Sequence, residues 1–202
     1  MSDLGNIDAL QRPLPYVDAL EARAPGTVRK IVIHATELPD LATARAYGER
    51  IRYESGTGNS GHYYIDRDGR IEQWVPVDRV AHHVRGHNAD SIGIELVHTG
   101  RWPDWFARDS QDWTGTYPRA QIDALVHLLR ALAEDLPALE GVTGHDALDT
   151  ETVPASDDPE HRVRRKLDPG PDFPWDEVLE RSGLPCWTPS PGNGRSREEP
   201  AE

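Results

Sequence analysis

The chain has 202 residues, with 35 acidic against 22 basic side chains and a formal charge of −13. That length suits one domain able to bury a core. The acidic balance excludes a phosphate-neutralising nucleic-acid surface and disfavours an anionic membrane surface. A single cysteine, Cys186, excludes an internal disulfide framework and a cysteine-rich zinc module.

Residues 1–27 are mixed in character and contain proline, and they read as a surface-hugging lead-in. Met1 to Asn6 shows neither the basic stretch nor the apolar stretch of a secretory signal. No apolar run approaches the roughly 20 residues that cross a bilayer. The expectation is therefore a cytoplasmic protein without a membrane partner. Nothing in the sequence specifies an oligomer, and a monomer is assumed.

Lys30-Ile31-Val32-Ile33-His34 is a β-branched run of the kind found in strands buried on both faces. Leu41, Ala44, Gly48 and Ile51 share one side of a helix expected over residues 41–54, which the glycine-rich stretch 56–61 ends. His62–Asp66 and Arg70–Val75 flank Arg67-Asp68-Gly69 and predict a hairpin. Ser91–Val97 alternates as another core strand. Thr116 has the character of an N-cap, with Pro118 in the first turn and Ile122, Leu125, Val126, Leu129 and Leu132 at helical spacing behind it. A polar loop is expected from Ala147 to Arg165 and a short helix from Phe173 to Arg181. Composition predicts a disordered tail over 185–202. This order gives an α/β fold with a central mixed β-sheet flanked by helices.

Among nine histidines, two occupy positions suited to chemistry. His34 ends a strand, where α/β sheets build sites, and His145 lies in the small-residue turn Thr143-Gly144-His145. Asp168 sits in a Pro-Gly turn two residues after Lys166, one of only two lysines in a chain that otherwise uses arginine. Two imidazoles and a carboxylate match a catalytic zinc site in number and type. Taken singly, each histidine suits a hydrogen-bonded structural role better than metal ligation. Glu95 interrupts an apolar strand, yet alternation alone also allows it to face outward.

Five segments occur in one order: Ile31–His34, Ser60–Gly69, Asn88–Leu96, Thr143–His145 and Arg165–Gly170. With them the chain resembles the zinc-dependent N-acetylmuramoyl-L-alanine amidases of the type-2, AmpD-like family, relatives of the peptidoglycan recognition proteins. The resemblance covers residues 28–182 and places a zinc amidase domain at 28–184. It implies one zinc ion on His34, His145 and Asp168, with Glu95 as the acid/base residue and Lys166 stabilising the transition state. The implied substrate is peptidoglycan or its muropeptide fragments, cut between the lactyl group of N-acetylmuramic acid and L-alanine.

The chain departs from the family at Ala81-His82-His83-Val84-Arg85-Gly86, where relatives usually carry Ala-Trp-His-Ala-Gly. His83 matches the groove-lining histidine, His62 follows the family pattern near the site, and Arg85 adds a charge suited to a stem-peptide carboxylate. These three are the expected substrate-binding residues. A non-catalytic muropeptide sensor and a delivered wall lysin are the alternatives. The presence of all three candidate metal ligands favours the enzyme.

Overall fold

The computed structural model describes residues 8–113 and 115–188. Strands β1 (Leu10–Gln11), β2 (Lys30–Ala35), β3 (Tyr63–Ile65), β4 (Ile71–Gln73), β5 (Ser91–Leu96) and β6 (Gly141–Gly144) form one sheet in the order β1-β4-β3-β5-β2-β6. The β3–β4 hairpin is antiparallel and the other pairings are parallel, so the sheet is mixed. The aliphatic runs take the central positions because only there are both faces of a strand covered.

Side chains alternate across the sheet. Ile31, Ile33, Ile92, Ile94 and Leu96 point into a core shared with helix α2 (Arg119–Asp135), through Ile122, Leu125, Val126, Leu129 and Leu132. Each such side chain contributes about 1.5–3 kcal/mol on burial. Gln121 is buried beside them, and its amide donates to the carbonyls of Ile65 and Val97 at 2.9 and 3.1 Å, tying the helix to the sheet. His34 and Glu95 stand on the opposite face. A second cluster covers part of that face with Leu14, Tyr16, Leu20, Tyr64 and Trp74 around helix α1 (Leu41–Gly48).

Several boundaries differ from expectation. Helix α1 stops at Gly48, where an added Cβ would lie 3.1 Å from the Trp74 ring, and Ile51 is exposed. Helix α2 is capped by Pro118, not Thr116, because Pro118 is the last extended residue and its carbonyl accepts from Ile122. The lead-in is packed where it is described: Leu10–Gln11 pairs with β4, and Leu14, Tyr16 and Leu20 are buried.

The polar segment after α3 (His145–Leu148) is an antiparallel hairpin of β7 (Thr152–Pro154) and β8 (Arg162–Arg164). Its pairing groups are mainly backbone, which a polar composition does not advertise. The last helix, α4 (Trp175–Ser182), ends at Gly183, whose φ of 75° lies in the left-handed region glycine favours. The start of the expected tail is ordered by β6: Val142 donates to the Pro185 carbonyl at 3.0 Å and Trp187 to the Val142 carbonyl at 2.8 Å. Residues 189–202 lie outside the described residues. No described helix is long and apolar enough to cross a membrane.

Candidate metal centre and active site

Parallel register builds the site. His34 near the end of β2 is the direct partner of Glu95 on β5, and Glu95 is the partner of Tyr64 on β3. His145 follows β6, the strand on the other side of β2. Asp168 is brought beside both histidines by a 2.9 Å hydrogen bond from the Asp146 amide to its own carbonyl. The Tyr117 hydroxyl also donates to the Pro169 carbonyl at 2.5 Å.

Nδ1 of His34 and Nδ1 of His145 each lie 3.0 Å from Oδ2 of Asp168. The three residues are buried, and one ligand atom from each falls within 4.8 Å of the others. Tetrahedral zinc bonds of about 2.0–2.2 Å hold ligand atoms about 3.3–3.6 Å apart, close to the two 3.0 Å histidine–aspartate separations. The second oxygen, Oδ1 of Asp168, is buried with no hydrogen-bond partner among the described residues. An orphaned carboxylate oxygen in a nest of imidazoles is costly unless a cation uses it. The group can therefore hold a metal ion.

Burial pushes the His145 imidazole below its ordinary value, against the opposing pull of Asp168, and so favours the neutral form that binds metal. Burial pushes the Asp168 carboxyl up, but His145 and Lys166 hold it well below the usual carboxylate range. Glu95 shows the reverse balance. Burial raises it, and the opposing influence of His34 and Lys166 does not bring it back. Its Oε1 lies 4.0 Å from His34 Nδ1 and its side chain is 15% exposed, so it reaches both the metal site and the outside. Gly61 leaves room for it, since an added Cβ would sit 2.8 Å from the Glu95 Cγ. Lys166 acts electrostatically on Glu95, His145 and Asp168. Histidine, carboxylate and ammonium thus converge where the sequence separates them by up to 134 positions.

The three residues expected to touch substrate have different fates. His62 is wholly buried: its Nδ1 accepts from the Gly93 amide at 3.0 Å, and its Nε2 lies 3.1 Å from the Arg79 carbonyl and 2.8 Å from Arg23. Its assignment to substrate is corrected, because a ring enclosed by β5 and Arg23 supports the sheet and has no free edge. His83 sits beside the site with its Nδ1 3.0 Å from His34 Nε2. Arg85 is exposed and pairs with Glu151 at 3.2 Å. The two flank a cleft of about 310 Å³ that also includes Leu148, Asp149, Thr150 and Arg165.

Sequence reasoning missed the support behind Lys166. Arg101 and Glu37 form a buried bidentate pair at 2.7 and 2.9 Å, and Arg101 also donates to the carbonyls of Arg164 at 2.9 Å and Arg165 at 3.3 Å. These bonds fix the backbone immediately before the catalytic candidates. The arginines of the hairpin are likewise engaged: Arg164 donates to the Asp146 and Asp149 carbonyls, and Arg165 pairs with Asp149 and Glu151. No local pattern signals these contacts, which cross more than 60 positions for Arg101.

Sheet order sets a buried two-histidine, one-aspartate cluster that can hold a metal ion beside a partly exposed carboxylate, as in the mixed α/β class of metal-site proteins. The profile of the N-acetylmuramoyl-L-alanine amidase family matches residues 24–171, and the chain belongs to this family. It is 33% identical over 125 residues to the 1,6-anhydro-N-acetylmuramyl-L-alanine amidase AmpD of Salmonella typhimurium, covering 57% of this chain and 53% of the relative. The corresponding Escherichia coli protein is 35% identical over 125 residues, covering 57% and 54%. The chain thus spans about half the length of the curated relatives it matches. A crystal structure of an AmpD derivative superposes with a TM-score of 0.62 at 25% identity, covering 90% of this chain and 98% of that one. The Escherichia coli amidase AmiD, solved with anhydro-N-acetylmuramic acid-L-Ala-D-gamma-Glu-L-Lys, gives 0.60 at 26% identity over 80% and 59%.

Proposed function

We propose that the protein is a zinc-dependent N-acetylmuramoyl-L-alanine amidase that hydrolyses the lactyl–L-alanine amide of soluble peptidoglycan fragments in the cytoplasm. The observation that carries the reading is the convergence of His34, His145 and Asp168 beside Glu95 and Lys166. The amidase activity of the AmpD relatives supports the substrate class.

His34, His145 and Asp168 would hold the zinc ion, which would supply Lewis acidity toward water and the amide carbonyl at neutral pH. Glu95 takes the proton of the attacking water and delivers it to the amide nitrogen, because an amine leaves poorly unless protonated. Its raised pKa brings it closer to the working pH, where a carboxylate both accepts and returns a proton. Lys166 places an ammonium beside the carbonyl oxygen as negative charge develops there. Arg101 and Glu37 hold the segment that presents Lys166. Arg85 stands at the exposed cleft, where it meets a stem-peptide carboxylate in competition with Glu151.

The test is to incubate the zinc-loaded protein with soluble anhydro-muropeptides and, separately, with intact sacculi, and to identify the products by mass spectrometry. Release of L-alanine-terminated peptides from fragments is expected. Faster release from sacculi would overturn the preference for soluble fragments. No release from either, with zinc fully bound, would overturn the amidase reading.

A further inference from the structure

His83 has both ring nitrogens engaged, and the directions of its hydrogen bonds can be worked out from a backbone carbonyl. Ser91 Oγ carries one proton and donates it to the His87 carbonyl at 2.6 Å. The same oxygen lies 3.1 Å from Nε2 of His83, so it accepts there and Nε2 carries the proton. A neutral imidazole has a single N–H, which leaves a lone pair on His83 Nδ1. That lone pair is 3.0 Å from Nε2 of His34, so His34 donates through Nε2. The lone pair of His34 is therefore on Nδ1, the atom that faces Asp168 and His145. A backbone carbonyl thus sets the tautomer of His34 three hydrogen bonds away.

The surroundings hold this relay in place. An added Cβ on Gly93 would lie 2.6 Å from the His83 Cγ, so the ring rests against bare backbone of β5. The amides of His83 and Val84 both donate to Asn88 Oδ1, at 3.0 and 2.8 Å, which fixes the turn that carries the ring. The His34 and His83 rings meet edge to face at 85°, with centroids 5.1 Å apart.

We propose that His83 is a positioning residue for His34: through Ser91 and the His87 carbonyl it holds His34 in the Nε2–H tautomer, with Nδ1 bare and aimed at the metal site. The inference rests on the reading that His34 is a metal ligand. It reassigns His83 from the substrate groove to metal retention. Groups that orient a ligating histidine in this way typically change metal affinity by about 10–100-fold.

Zinc affinity is measured by competition with a chromogenic chelator for the parent, His83→Leu, His83→Asn, Gly93→Ala and His34→Ala. The His34 tautomer is read in parent and variants by long-range proton–nitrogen NMR of the imidazoles. His83→Leu is expected to bind zinc about 10–100-fold more weakly. His83→Asn, whose Oδ1 can accept at the place of Nδ1, should recover most of the loss. In the parent the His34 proton sits on Nε2, and in His83→Leu that preference is lost. Parent-like affinity in His83→Leu, or a parent His34 proton on Nδ1, overturns the proposal. If His83→Leu does not fold, Gly93→Ala, which displaces the ring without removing it, carries the same test. Zinc lost in His34→Ala but kept in the His83 variants sinks the positioning role alone, whereas zinc kept in His34→Ala sinks the metal assignment beneath it.

Discussion

His34 and Glu95 are register partners on the parallel strands β2 and β5, and His34 Nδ1 lies 4.0 Å from Glu95 Oε1. The proposed metal ligand and the proposed acid/base carboxylate thereby share one rigid row of the sheet, where neither can move without breaking the ladder. Separate roles for the pair have separate consequences. Glu95→Gln should keep zinc at parent stoichiometry and lose about 10²–10⁴-fold in kcat. Near-parent turnover with zinc in place would remove Glu95 from the mechanism.

The proposed metal ligands should fail differently. His34→Ala, His145→Ala and Asp168→Ala are expected to lose both zinc and activity, because each removes one of three protein donors. Metal content by plasma mass spectrometry after dialysis decides this, and stoichiometric zinc in two of the three would dissolve the assignment.

Glu95 also bears on stability. Its pKa is raised chiefly by burial, so the folded state binds its proton more tightly than the unfolded chain does. The stability linked to this proton is fully present below the unfolded value, about 4.3. It declines as pH rises through the folded value. In the zinc-free protein, Glu95→Gln should therefore melt above the parent at pH 7, with the gap closing toward pH 4. A gap that is independent of pH would mean that burial of this carboxylate is not what the substitution relieves.

Lys166 opposes the upward shift of Glu95. Removing its charge as Lys166→Met should let the Glu95 pKa rise further, moving the acid limb of the kcat/KM profile to higher pH. Turnover should fall about 10²–10³-fold through loss of oxyanion stabilisation. Lys166→Arg should rescue poorly, since a planar guanidinium does not replace a compact ammonium. An unmoved acid limb in Lys166→Met would separate Lys166 from Glu95.

The buried Glu37–Arg101 pair should be expensive to break and less so to replace. Arg101→Met leaves Glu37 buried without its partner and is expected to destabilise by about 3–5 kcal/mol. Adding Glu37→Met should recover part of that loss. Activity should stay low in the double variant, because the carbonyls of Arg164 and Arg165 remain unanchored. Denaturant titration beside kinetics checks both halves, and full activity in the double variant would reduce the pair to a stability element.

The central strands, the β3–β4 hairpin and helix α2 were legible in the sequence because each has a strong local period of aliphatic side chains. The candidate ligands were visible as residue types at strand ends and turns, and their grouping came from the family resemblance that five short segments carry. Other features depended on contacts distant in sequence. The 147–165 segment became a hairpin through backbone pairing between β7 and β8, which its polar side chains do not encode. The 185–188 stretch was ordered by the edge of β6. His62 and His83 look alike in the sequence, yet one is enclosed against Arg23 while the other bonds His34. Sequence alone determined which chemical groups were available and which runs would form the sheet. Tertiary structure decided which polar atoms found partners, because burial and hydrogen-bond direction are set by neighbours that local spacing cannot specify.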